Sequence, residues 1–272
     1  MSLTIAVFCA TALFYLLSAA ILGKAFFAPA NAQLSDKSAH NKLGVYCLSL
    51  GCIGHLLILL LHHPDMSVAK LSMTFIAAVI ALMVTATMLA ANSYIKNLVF
   101  LPVVALFSSA VLGLYIAAPV STQINATMSV GLVGHISLSL IAFVLLSISF
   151  LYALQIAFIN YQLKHKKVGA LSANLPPLMA VEHILHKLMF AGTTALGIAL
   201  ATGFIFIPNI FADGYAHKTL LSSIAFFVYL SALIAQHMVG LRARALIGFN
   251  LFGLCLLTIA YFGSRFVREV LL

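Results

Sequence analysis

The chain of 272 residues is 64% hydrophobic and 7% charged, with mean hydropathy +1.16 and a formal net charge of +9. No water-facing surface can be built at that composition, so the polypeptide is read as an integral membrane protein. The basic residues are scattered over short connections and form no single stripe, which excludes a nucleic-acid surface and leaves a topology signal as their explanation.

A helix needs about 20 apolar residues to cross a hydrocarbon core of roughly 30 Å. Eight such runs follow one another, near 3 to 23, 43 to 61, 69 to 91, 98 to 118, 130 to 160, 188 to 207, 219 to 240 and 246 to 264. Barrel strands would alternate and be about half as long, so the predicted fold is all-α and polytopic with eight transmembrane helices. If the first run enters from outside, Lys24, Lys37, Lys42, Lys96, Lys164, Lys166, Lys167, Lys187, Arg242 and Arg244 collect on the inner side. Only Lys70, Lys218, Arg265 and Arg268 remain outside, which places both termini on the outer, periplasmic side. Met1 to Val7 carries no positive charge, and the first run is read as an uncleaved anchor despite the small residues of FAPANA. Cys9, Cys47, Cys52 and Cys255 all fall within spans without a CxxC pattern, as small buried residues do, and no CxxCH attaches a c-type haem.

The chain divides into a front bundle of four helices (1–118) and a back core of four (130–272), joined by 119–129. An inner loop and a short interfacial helix are expected at 164–187. There Pro176 and Pro177 start the helix, and Glu182, His183, His186 and Lys187 form its polar side. Helix five is too long to stand upright in a bilayer. Helix six carries Ala191, Ala195, Ala199 and Gly203 at every fourth position, a stripe that permits close packing. With no tryptophan, the aromatic belt falls to Tyr94, Tyr115, Tyr161, Tyr215 and Tyr261.

The acidic residues Asp36, Asp65, Asp213, Glu182 and Glu269 all lie in loops or at helix ends, so no carboxylate sits at mid-membrane for a proton or cation pathway. Paired carboxylates, a nucleophile elbow and a glycine-rich phosphate loop are also missing, and no enzymatic activity is expected. Histidine is the abundant polar residue. His55, His62, His63, His135 and His217 lie towards the outside, and His40, His165, His183, His186 and His237 towards the inside. His40, His62, His63 and His165 neighbour polar residues and read as solvated. His55 suits an interhelical hydrogen bond, and the pair His183 and His186 suits an amphipathic helix as well as a metal or haem edge. His135 and His217 each open a transmembrane helix at the outer interface. His237 closes helix seven on the inner side, roughly 28 Å further along that helix. A neutral imidazole can ligate haem iron through one ring nitrogen while the other is held by a neighbour.

Three blocks in order resemble the CcsA/CcmC-type cytochrome c assembly proteins, which handle haem. His135-Ile136-Ser137 with Ala142-Phe143 is similar to the family's H-V-S-x-x-x-x-S-Y helix. Val181-Glu182, His186-Lys187 and Gly192 through Gly197 are similar to a second block. Gly240-Leu241-Arg242-Ala243-Arg244, followed by Tyr261-Phe262-Gly263, is similar to the turn and helix of a third. The resemblance covers about 130 to 264 and implies that His135 ligates haem on the outer face and His237 near the inner face. The family's tryptophan-rich outer loop has no counterpart here; Ile207 to Lys218 offers Tyr215 and His217 instead, which makes His217 a substitute second ligand. SRFVREVLL after the last shared helix also lacks the family's second outer histidine. These departures make the chain look most like the YpjD inner-membrane branch, with the HemX branch next.

The resulting expectation is a haem-binding or haem-handling protein of the bacterial inner membrane, related to cytochrome c biogenesis. Its cofactor is haem b at His135, His237 and His217, with no other metal, and its partners are membrane lipid, haem and a cytoplasmic or membrane protein. A HemX-like scaffold or regulator acting through KHKKVGALSANLPP and VEHILHK is the alternative, ahead of a small-solute transporter or an ion-exporter accessory.

Overall fold

The computed structural model describes residues 2–27, 34–62, 73–95, 99–117, 130–164, 176–207, 216–241 and 243–263. Among these residues all regular structure is helical: α1 (Ser2–Phe27), α2 (Leu34–His62), α3 (Met73–Ile95), α4 (Leu101–Ala117), α5 (Val130–Lys164), α6 (Leu178–Phe206), α7 (Ala216–Val239) and α8 (Ala243–Thr258). A π-helical turn, Ile259–Gly263, continues α8. Within hydrocarbon there is no water to satisfy peptide groups, and a helix pairs them along its own length. Seven of the helices, α8 counted together with its π-helical continuation to Gly263, are long and apolar enough to cross a membrane, while α4 has 17 residues, about 26 Å. The protein is therefore an all-α, multi-span integral membrane protein.

Two helices begin well before their apolar runs. α2 starts at Leu34, so the polar stretch SDKSAHNK is its first turns, and α6 starts at Leu178. The separate interfacial helix expected after the two prolines is absent, and its residues are the opening turns of α6. Hydropathy marks where lipid begins, but a helix stops only at a breaker, and none intervenes between Pro177 and Ile207. Pro177 sits just outside the helix, and its carbonyl accepts from the Ala180 and Val181 amides at 3.0 and 3.2 Å. At the other end of the next helix, Gly240 takes φ of 67° as its amide bonds to the Gln236 carbonyl at 3.2 Å. A side chain there would be strained, so glycine ends α7 and permits the short return into α8.

The chain forms two compact units, one containing α1 to α4 and the other α5 to α8. In the first, neighbours run α1, α2, α3, α4 and back to α1. α1 and α2 approach closely where Gly51 lies under the Tyr15 ring and Gly54 against Thr11. Ile58, Leu59, Ala78, Leu112 and Tyr115 pack together at one end of this bundle. In the second unit neighbours run α5, α6, α7, α8 and back to α5, so α5 and α7 are diagonal. α5 and α6 are antiparallel and tight, with Gly192 against Leu146 and Gly131 against Phe206. Within the small-residue stripe, Ala195, Ala199 and Gly203 are buried, whereas Ala191 is exposed.

The tyrosines correct the aromatic-belt expectation. Tyr115 is buried beside Phe75 with ring centroids 6.2 Å apart, and Tyr261 donates its hydroxyl to the Ser139 carbonyl at 2.9 Å, so both serve packing. Tyr161 is exposed; Tyr215 and the Tyr94 side chain lie outside the described residues. All four cysteines are free thiols, Cys47 buried and Cys9 and Cys255 on exposed faces.

Candidate functional site

His135 lies in the second turn of α5, and its ring crosses to the last turns of α6. Nδ1 is 2.8 Å from the Ala199 carbonyl oxygen and 3.4 Å from the Thr202 hydroxyl. A carbonyl only accepts, so Nδ1 carries the hydrogen and, in the neutral ring, Nε2 holds a lone pair. The ring is seated on Gly203: a Cβ at that position would come 2.9 Å from Cε1. Small residues on α6 therefore bring the imidazole against helix backbone, which pins its tautomer. The side chain is half-buried, and among the described residues Nε2 has no hydrogen-bond partner and is not among the sealed polar atoms.

The same face of α5 continues one and two turns on. The Ser139 carbonyl takes the Tyr261 hydroxyl, and Phe143 packs on Tyr261 and Phe262 with centroids 5.2 and 6.1 Å apart. Both aromatic residues belong to the π-helical turn after α8. One extra residue per turn re-aims side chains, and here it turns two rings onto α5. The site thus lies at the end of the bundle shared by the start of α5, the end of α6, the start of α7 and the end of α8.

His217 is exposed in the first turn of α7, at the same end as His135 but on the diagonal helix. His237 is exposed in the last turn of α7, at the opposite end. Neither ring is pinned by a hydrogen bond among the described residues. His183 is exposed on α6, whereas His186 bonds through Nδ1 to the Glu182 carbonyl at 2.7 Å, and its Nε2 is buried without a partner. The two rings of that pair therefore do not share an environment. His40 is exposed on α2; His62, His63 and His165 have side chains outside the described residues.

Sequence reasoning placed His55 in an interhelical bond, and Tyr15 is the partner, its hydroxyl 3.1 Å from Nδ1 and its ring edge-on at 85°. Both residues are fully buried, and Nε2 of His55 is sealed without a partner. Thr85 and Ser108, 2.7 Å apart, join α3 to α4 in the same unit. Asn250 went unnoticed in the sequence, a single amide within an apolar run. It is fully buried in α8, where its oxygen accepts from Ser149 at 2.8 Å and its nitrogen donates to the Leu246 carbonyl at 3.0 Å and to Met189 sulfur at 3.5 Å. The Tyr229 hydroxyl donates to its carbonyl at 3.2 Å. The signal available in the sequence was the rarity of an amide in a span, which marks an interhelical contact.

An axial ligand to haem iron needs an oriented imidazole with an open nitrogen. His135 fits: its Nδ1 is held by a backbone carbonyl and its Nε2 is open. His55 and His186 do not fit, because protein atoms already cover their second nitrogens. His217 and His237 are open but unoriented. Among the described residues no group of three or more His, Cys, Asp or Glu side chains is placed to hold a bare metal ion, so a metal here must bring ligands of its own.

These features define a polytopic helical membrane protein with a pinned imidazole at one end of its second bundle. The family model described as cytochrome c assembly protein matches residues 43–272, and the chain belongs to that family. It is 38% identical over 114 residues to the inner membrane protein YpjD of Escherichia coli strain K12, an alignment covering 42% of this chain and 43% of that protein. It is also 37% identical over 115 residues to an uncharacterised 28.8 kDa protein in the nifR3-like 5' region of Azospirillum brasilense, covering 40% of this chain and 41% of the relative. Each alignment thus spans less than half of the relative's own length. No solved structure matches the chain.

Proposed function

We propose that the protein binds haem b non-covalently and handles it in cytochrome c biogenesis, in the inner membrane of a bacterium. The family match supports cytochrome c assembly, and the name of the Escherichia coli relative supports the inner membrane. The observation that carries the reading is His135: its Nδ1–H is fixed on the Ala199 carbonyl, and its Nε2 lone pair is open at one end of α5. Haem iron, when bound, supplies a coordination position for that nitrogen. The chain does the rest. Gly203 seats the ring, the Ala199 carbonyl holds the proton on Nδ1, and the close packing of α5 and α6 keeps the imidazole from turning. His217 stands at the same end as a second candidate ligand, and His237 marks the other end of α7. The protein acts by binding and presentation, without catalysing a reaction. It crosses the bilayer eight times, α4 being the shortest span, with both termini on the outer side.

Purified from haem-replete cells, the full chain should show a Soret band that His135→Ala removes and that His217→Ala weakens or shifts. A protein that stays colourless and takes up no added haemin rules the reading out.

A further inference from the structure

The Ala199 carbonyl that holds His135 is shared. The Thr202 hydroxyl donates to the same oxygen at 2.9 Å, and His135 Nδ1 approaches it at 2.8 Å. Thr202 lies 3.4 Å from Nδ1, long for a bond of its own, so its main effect on the imidazole passes through the carbonyl. Two donors on one oxygen each receive less of its electron density than a sole donor. Electron density withheld from Nδ1–H is withheld from Nε2 across the ring, because hydrogen bonding at one imidazole nitrogen sets the basicity of the other.

Among the described residues Thr194, Ser231 and Thr258, all on exposed faces, give their hydroxyls to carbonyls of their own helix. Thr202 makes the same local bond on a carbonyl that already serves a side chain from another helix. Valine has nearly the shape of threonine but no hydroxyl, and serine keeps the hydroxyl without the methyl, so one atom can be tested with little change in packing.

We propose that Thr202 is a positioning residue for His135: by sharing the Ala199 carbonyl it moderates the Nδ1–H hydrogen bond and so sets the donor strength of Nε2 towards a metal centre. The consequence for haem rests on the function proposed above, but the effect on the imidazole itself does not.

The test uses the full chain labelled with 15N-histidine in detergent micelles, free of haem, with His135 assigned by the signal lost in His135→Gln. Nδ1 is expected to be the protonated nitrogen and Nε2 the bare one. In Thr202→Val the Nδ1 proton should move downfield as its hydrogen bond shortens, whereas Thr202→Ser should keep the parent position. A bare Nδ1, or Thr202→Val signals identical to the parent, overturns the proposal. In haem-loaded protein the stronger donor should lower the reduction potential in Thr202→Val but not in Thr202→Ser. If the NMR pattern holds while the protein takes up no haem, the positioning role stands and the haem reading alone fails.

Discussion

Each four-helix unit buries a polar knot in an apolar interior, and the two knots are finished differently. In the second unit Asn250 has its oxygen, its nitrogen and its backbone carbonyl all engaged, by Ser149, Leu246, Met189 and Tyr229. In the first unit His55 is engaged by Tyr15 at one nitrogen and sealed without a partner at the other. A satisfied network ties helices together, but a half-satisfied one carries a cost of about 1–3 kcal/mol for the orphan group. Buried polar groups in one small protein therefore do different jobs, and their hydrogen-bond accounting tells them apart. His135 represents a third condition: held at one nitrogen like His55, but at the other neither bonded nor sealed among the described residues.

Four substitutions test this contrast, and the largest effect should come at Asn250. Asn250→Leu removes three side-chain contacts and strands Ser149, for a loss of about 2 kcal/mol, since single interhelical bonds in membranes average about 0.6 kcal/mol. Unfolding in mixed micelles measures it; an unchanged midpoint would mean the knot is not holding the bundle. Next, Tyr15→Phe leaves both His55 nitrogens unpaired and should cost about 1 kcal/mol. His55→Leu should cost less, about 0.5 kcal/mol, because one nitrogen is already unsatisfied and leucine restores apolar packing. If His55→Leu proves as damaging as Asn250→Leu, the distinction between the two knots collapses. Gly203→Ala should change stability least. The gain in helix propensity, up to about 1 kcal/mol, offsets the shift of a ring that lies at the free end of its side chain. Its effect should appear instead in the His135 spectrum and in haem uptake.

Much of the fold was legible in the sequence. Lipid imposes one rule, that apolar runs of sufficient length become helices, and α1, α3, α5 and α7 fall close to where hydropathy placed them. The starts of α2 and α6 were not legible, because helix propensity carries on through polar residues outside the apolar run. For the site, the sequence singled out His135 by its place at the head of an apolar helix, and the structure supplies its partners. His55 was legible as a bonded histidine, but Tyr15 was not, being 40 residues away on another helix.

By itself, then, the sequence determined the solvent, the helical class and the family, since composition and local periodicity act over one or a few turns. Tertiary structure decided which imidazole nitrogens are pinned, open or sealed. His135, His55 and His186 are chemically the same residue, the first two within apolar runs and the third in the polar opening turns of α6. His135 meets a carbonyl of another helix, His55 a hydroxyl of another helix, and His186 a carbonyl of its own, and only the packing around each ring tells them apart.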